Sequence, residues 1–71
     1  MTKSLIEEFI DEINLMRKEN RKSSNIHIWE NSASDYELFD LIIPTLENQM
    51  NVEITGGNVG MQYQLTITLN D

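Results

Sequence analysis

His27 is the only histidine in this chain, and there is no cysteine beside it to share a site. An imidazole that titrates near neutrality can act as a general base or a metal ligand. As a ligand it would need carboxylate partners, and Glu30, Asp35 and Glu53 are the acids within reach along the chain. Three carboxylate pairs stand at helical spacing: Glu7/Asp11, Glu8/Glu12 and Glu37/Asp40. Paired acids can divide the work of general acid and base. That division needs a desolvated pocket to lift one pKa, and each pair falls on a side expected to face water. Ser and Thr are plentiful, but a nucleophile needs a neighbouring base, and only His27 offers one. Gly57-x-x-Gly60 has the outline of a phosphate loop. A P-loop would continue with Lys and then Ser or Thr, whereas Met61 and Gln62 follow here. A KH loop joins two helices, and this one sits between two strand patterns. The expectation is a protein without a catalytic set, a metal or a cofactor.

Charge is informative because it is uneven. The formal net charge is -7 over 71 residues. All the bases, Lys3, Arg17, Lys18, Arg21 and Lys22, precede Ser23, where Glu7, Glu8, Asp11, Glu12 and Glu19 balance them. From Ser23 onward there are acids and no Lys or Arg. Such a field repels nucleic acid and anionic membrane and attracts basic proteins. No apolar run approaches the roughly 20 residues of a membrane helix. The start has acids every few residues and no apolar signal core. The absence of cysteine fits a reducing compartment. A cytoplasmic location is expected.

The elements that must position these residues are readable from periodicity. Residues 4–20 predict an amphipathic helix, capped by Ser4 with Glu7. Leu5, Ile6, Phe9, Ile10, Ile13 and Met16 share its apolar face, and Leu15 lies off it. Arg17 and Lys18 fall near the end, where the helix dipole favours bases. A short strand is predicted at 26–30, with Ile26 and Ile28 inward and His27 outward; alternation turns Trp29 outward as well, and the alternative is that it folds over the sheet edge and completes the core. Ser34 with Glu37 caps a second helical stretch over 34–49. Leu38, Phe39, Ile42, Ile43, Leu46 and Met50 form its apolar arc, with Glu37, Asp40 and Glu47 as an acidic stripe opposite and Leu41 beside it. Pro44 either kinks that helix or starts a new one. A β-hairpin over 51–69 follows, with GGNVG as its turn and Met61, Tyr63, Leu65, Ile67 and Leu69 alternating inward.

The chain is expected to be one α+β domain, of order α-β-α(α)-β-β, with a three-stranded, largely antiparallel sheet and the helices on one face. At this size the core is marginal, since roughly 60% of the unfolded surface is buried. The element order resembles that of winged-helix DNA-binding domains. The resemblance implies that Pro44 starts the second helix of a helix-turn-helix and that GGNVG is the wing. The chemistry runs the other way: PTLENQM is short and acidic, and the wing carries no base to meet phosphate.

The functional expectation is a small non-enzymatic module that docks on a larger protein with a basic surface. Trp29 and Tyr36 would be the anchors. Glu30, Asp35, Glu37, Asp40 and Glu47 would be the charges, placed where a nucleic-acid-binding partner expects phosphates. Inhibitors of that kind occur among phage and mobile-element products, and the Ile- and Asn-rich composition accords with an AT-rich source. The alternatives are a self-associating assembly subunit or homodimer, suggested by Leu15 and Leu41, and a degenerate winged-helix regulator.

Overall fold

The computed structural model describes residues 4–70. Lys3 and Asp71, which enter the charge map above, lie outside the described residues. The chain forms α1 (Leu5–Lys18), β1 (Ser23–Trp29), a π-helical segment (Tyr36–Ile42), α2 (Ile43–Met50), β2 (Val52–Val59) and β3 (Gln62–Leu69). The fold is α+β, with an antiparallel sheet of order β1-β3-β2.

The Ser4 hydroxyl starts α1 by accepting the Glu7 N–H at 3.3 Å and donating to the Glu7 carboxylate at 3.0 Å. The helix ends at Lys18, two residues before the predicted limit. The cause is a Schellman closure. Asn20 takes a left-handed φ of 58°. Its N–H reaches the Arg17 carbonyl at 3.3 Å, and the Arg21 N–H reaches the Met16 carbonyl at 2.9 Å. Asn is one of the few residues besides Gly that tolerates this conformation.

β1 begins at Ser23, three residues before the apolar alternation does. Ser23, Ser24 and Asn25 pair with Thr68, Ile67 and Thr66. Backbone pairing to a long central strand recruits them whatever their polarity. The hairpin turn also differs from the one expected. Gly56 and Gly57 lie inside β2, and the connection is only Gly60 and Met61. Gly60 has φ 69° and Met61 has no positive φ, the Gly-x pattern of a two-residue type II′ hairpin. Met61 is therefore a turn residue and not an inward one. It is 70% exposed.

The second helical stretch runs without a turn from Asp35 to Met50. Its first part is wound as a π-helix, and the Ile43 N–H reaches the carbonyl of Leu38, five residues back. α2 then continues with Pro44 in its first turn, where a missing N–H costs least. The Thr45 hydroxyl donates to the Leu41 carbonyl at 2.7 Å. Neither a kinked α-helix nor two separate helices describes it; the helix changes its winding at the proline instead. With no turn there is no helix-turn-helix, which removes the basis of the winged-helix resemblance.

Phe9, Ile13 and Met16 from α1 and Leu38, Ile43 and Leu46 from the second helical run meet Ile28, Val52, Ile54, Tyr63, Leu65 and Ile67 of the sheet in one cluster. Arg17 ties the two helical elements by donating to the Met50 carbonyl at the end of α2. Asn51, with φ 56°, then turns the chain into β2.

The two adjacent glycines of β2 provide a test. A Cβ on Gly56, where φ is +141°, would sit 2.1 Å from the Gln64 carbonyl oxygen, whereas one on Gly57 would meet nothing within 4 Å. Gly56→Ala is expected to lower unfolding free energy by roughly 2 kcal/mol or more. Gly57→Ala should stay within about 0.5 kcal/mol. Urea denaturation of both variants checks the contrast.

Candidate protein-binding surface

The sheet register sorts the surface into two faces and two ends. On the face away from the helices, four rows cross the three strands: Trp29–Gln62–Val59, His27–Gln64–Gly57, Asn25–Thr66–Thr55 and Ser23–Thr68–Glu53. The first row lies next to the Gly60–Met61 turn. At that end the backbone continues from Trp29 into Glu30, whose N–H donates to the Met61 carbonyl at 3.0 Å. The opposite end receives the C-termini of α1 and α2.

The turn end gathers the exposed apolar residues. Trp29 is 59% exposed, Tyr36 62%, Val59 56% and Met61 70%. Strand alternation puts Trp29 and Val59 on the open face, with Gln62 between them. Trp29 thus turns outward, as its position opposite Ile28 in the pleat requires. Sequence reasoning missed Val59 and Met61. The signal was the turn length, because a two-residue Gly60–Met61 turn puts Val59 outward and Met61 at the tip. Leu15 and Leu41 are exposed as well, on separate elements.

The same end carries acids that are held in place without being neutralised. The Tyr63 hydroxyl donates to the Asp35 carboxylate, and the Asn58 amide donates to Glu30 at 3.2 Å. Both donors are uncharged, so neither contact sets a positive charge beside the carboxylate. Phe39 stacks edge-on against Tyr63, with centroids 5.6 Å apart, and fixes that ring from the core side. Glu37 and Asp40 are exposed on the π-helical segment. The Ser34 hydroxyl accepts the Glu37 N–H at 3.1 Å, so the predicted cap is present.

Glu47 does not belong to this surface. It is half-buried, and its carboxylate accepts the Ile54 N–H of β2 at 3.0 Å. The straight stripe through Glu37, Asp40 and Glu47 assumed one α-helical period. In π winding residues four and five apart come into line, so Glu37 stacks towards Leu41 and Ile42 instead of Asp40.

The bases are gathered at the other end. Arg17, Asn20, Arg21, Lys22 and Leu69 line a recess of about 320 Å³ there. Arg17 is engaged with the end of α2, and Arg21 pairs with Glu12 at 3.3 Å and Glu19 at 2.9 Å. Glu12 also accepts the Ser24 hydroxyl, which joins α1 to β1. His27 sits on the open face by a recess of about 230 Å³ with Asn25, Gln64, Leu65 and Thr66, none of them a carboxylate. Among the described residues no three His, Asp or Glu side chains converge as a metal site. No described helix is long and apolar enough to cross a membrane.

No family model, curated protein or solved structure matches the chain.

Two measurements test its construction. The Asp35 carboxylate at its hydroxyl, with burial added, raises the Tyr63 phenol above its ordinary value of 10.0. The folded state then holds the phenolic proton more tightly than the unfolded state. The resulting stability is fully present below pH 10 and is lost as pH rises through the elevated folded value. Thermal melts from neutral to strongly alkaline pH should show that decline in the wild type, and a Tyr63→Phe variant should lack this contribution. Separately, Glu47→Ala leaves the Ile54 N–H without its acceptor. It should cost about 1 kcal/mol in urea denaturation.

Proposed function

We propose that this chain is a non-enzymatic docking module that binds a basic surface of a larger protein through its turn end. The observation that carries the proposal is the coincidence there of exposed Trp29, Tyr36, Val59 and Met61 with the carboxylates of Glu30, Asp35, Glu37 and Asp40. Exposed aromatic and Met side chains ringed by polar groups are the composition of binding hot spots. Acids that pair with no base among the described residues provide long-range attraction for a cationic partner. Tyr63 and Asn58 add preorganisation, since Asp35 and Glu30 need no reordering on contact.

In its sharper form the module is an inhibitor of a nucleic-acid-binding protein. The carboxylates take the place of phosphates and the apolar residues supply the residence time. A soluble intracellular setting suits that role. Acid–base catalysis finds little support: Glu7, Asp11, Glu37 and Asp40 stand exposed, and Glu12 is bound by Ser24 and Arg21.

Affinity capture from the native host's lysate, at low and at high salt, tests the proposal. Trp29→Ala and Met61→Ala remove exposed side chains and should leave the fold intact. Each is expected to weaken capture by roughly tenfold or more. Charge reversal should be made at Glu37 and Asp40, because Asp35 also anchors Tyr63. That double variant should slow association and flatten the salt dependence. Capture indifferent to salt and to all of these changes would sink the proposal.

A further inference from the structure

β1 is an edge strand with an open outer edge. Two bonds fix the parity of its ladder: the Glu30 N–H to the Met61 carbonyl at 3.0 Å, and the Leu69 N–H to the Lys22 carbonyl at 2.9 Å. Between them Ile28, Ile26 and Ser24 stand opposite Tyr63, Leu65 and Ile67. These residues give their backbone groups to β3, so Ser23, Asn25, His27 and Trp29 direct theirs outward. Of those outward groups only the Trp29 carbonyl takes a backbone bond, from the Ser32 N–H at 2.9 Å. β1 contains no Pro, no charged side chain and no bulge, the devices by which sheet edges are commonly guarded. The far edge is different. There the outward N–H of Ile54 is occupied by Glu47.

We propose that β1 is a self-pairing edge, occupied by β1 of a second copy of this chain in a two-fold, antiparallel arrangement. Pairing over the whole strand sets Ile26 against Ile26, Asn25 against His27, Ser24 against Ile28 and Ser23 against Trp29. One step further out it sets Lys22 of one copy against Glu30 of the other. These are the charged residues that directly flank the strand. A slip of two residues, the smallest that keeps the bond pattern, shortens the overlap and moves Lys22 to Ile28 or Ser32. The ends of the molecule agree with this register. Antiparallel pairing lays the end bearing Arg17, Lys18, Arg21 and Lys22 beside the acidic turn end of the other copy.

The product is a six-stranded sheet with every helix on one face. The half-buried Ile26 gains cover from its own copy across the axis. Each outer margin is then a β2 edge carrying Glu47, so the assembly closes as a dimer instead of growing into a fibre. Trp29 and Glu30 enter the new ladder, whereas Tyr36, Val59 and Met61 stay outside it. Met61→Ala therefore probes docking without touching the dimer, and amide protection at Asn25 and His27 reads the dimer without any docking partner.

Light scattering after size exclusion, with amide exchange read by NMR, tests it on the full chain from about 1 μM to 1 mM. The expected result is a shift from monomer to dimer, with the Asn25 and His27 amides becoming protected in step. A monomer throughout, or a dimer whose Asn25 and His27 amides still exchange freely, overturns the proposal. His27→Pro deletes one outward donor and leaves the β3 ladder untouched; it should weaken the dimer at least about tenfold. Lys22→Glu and Glu30→Lys should each weaken it roughly fivefold, and the double swap should restore it. If the proline variant fails to fold, the swap decides: recovery supports the register, and no recovery overturns it.

Discussion

β3 is hydrogen-bonded along both sides, and the rest of the molecule is arranged around that double pairing. Its inward side chains, Tyr63, Leu65 and Ile67, are all buried and carry both helical elements. Burying side chains of this size contributes roughly 1.5–3 kcal/mol each, a large share for a domain whose core is this small. The same strand sets the register of both neighbours, and hence which residues of β1 and β2 face water. Trp29 and Val59 flank one residue of β3, Gln62, and that shared register puts them in one row.

The double pairing leaves two edges of unequal character. β2 lies against α2, which supplies Glu47 to its outward N–H. Glu12 of α1 pairs with Arg21 and reaches β1 at the Ser24 hydroxyl, a side-chain contact that occupies none of the outward backbone groups of the strand. The two ends are unequal too. The C-terminus of α1 and the residues just after it carry the bases, where the dipole favours them, and the loop after β1 with the π-helical segment carries the acids. A protein this small thus presents distinct edges and ends.

Much of the fold was legible in the sequence because periodicity reports burial. The apolar face of α1, the outward Trp29, the alternation from Tyr63 to Leu69 and the cap at Ser34 all follow from spacing. The departures have a common cause, since backbone pairing does not read side-chain polarity. Ser23–Asn25 joined β1 because β3 reaches that far, and Gly56–Gly57 joined β2 for the same reason. The π winding was visible only as the Pro44 anomaly. Glu47 looked like a solvent-facing acid until the edge of β2 was set beside it. Of the candidate surface, Trp29, Glu30, Asp35, Tyr36, Glu37 and Asp40 were named from sequence. Val59 and Met61 needed the turn length, which five residues of GGNVG left ambiguous.

The position of β3 also has a bearing on how the chain acquires its shape. The strand that joins the other two is the last to be synthesised, and β1 has no partner until residues 62–69 exist. A nascent chain therefore holds Ile26, Ile28 and Trp29 in an unpaired, β-prone segment until β3 emerges. The β2–β3 hairpin is a local contact, whereas β1–β3 closes a loop over residues 30–61, a step that costs entropy before it returns stability. Until then the two helical elements and two unjoined strands have no common sheet to pack on, and the central strand supplies it.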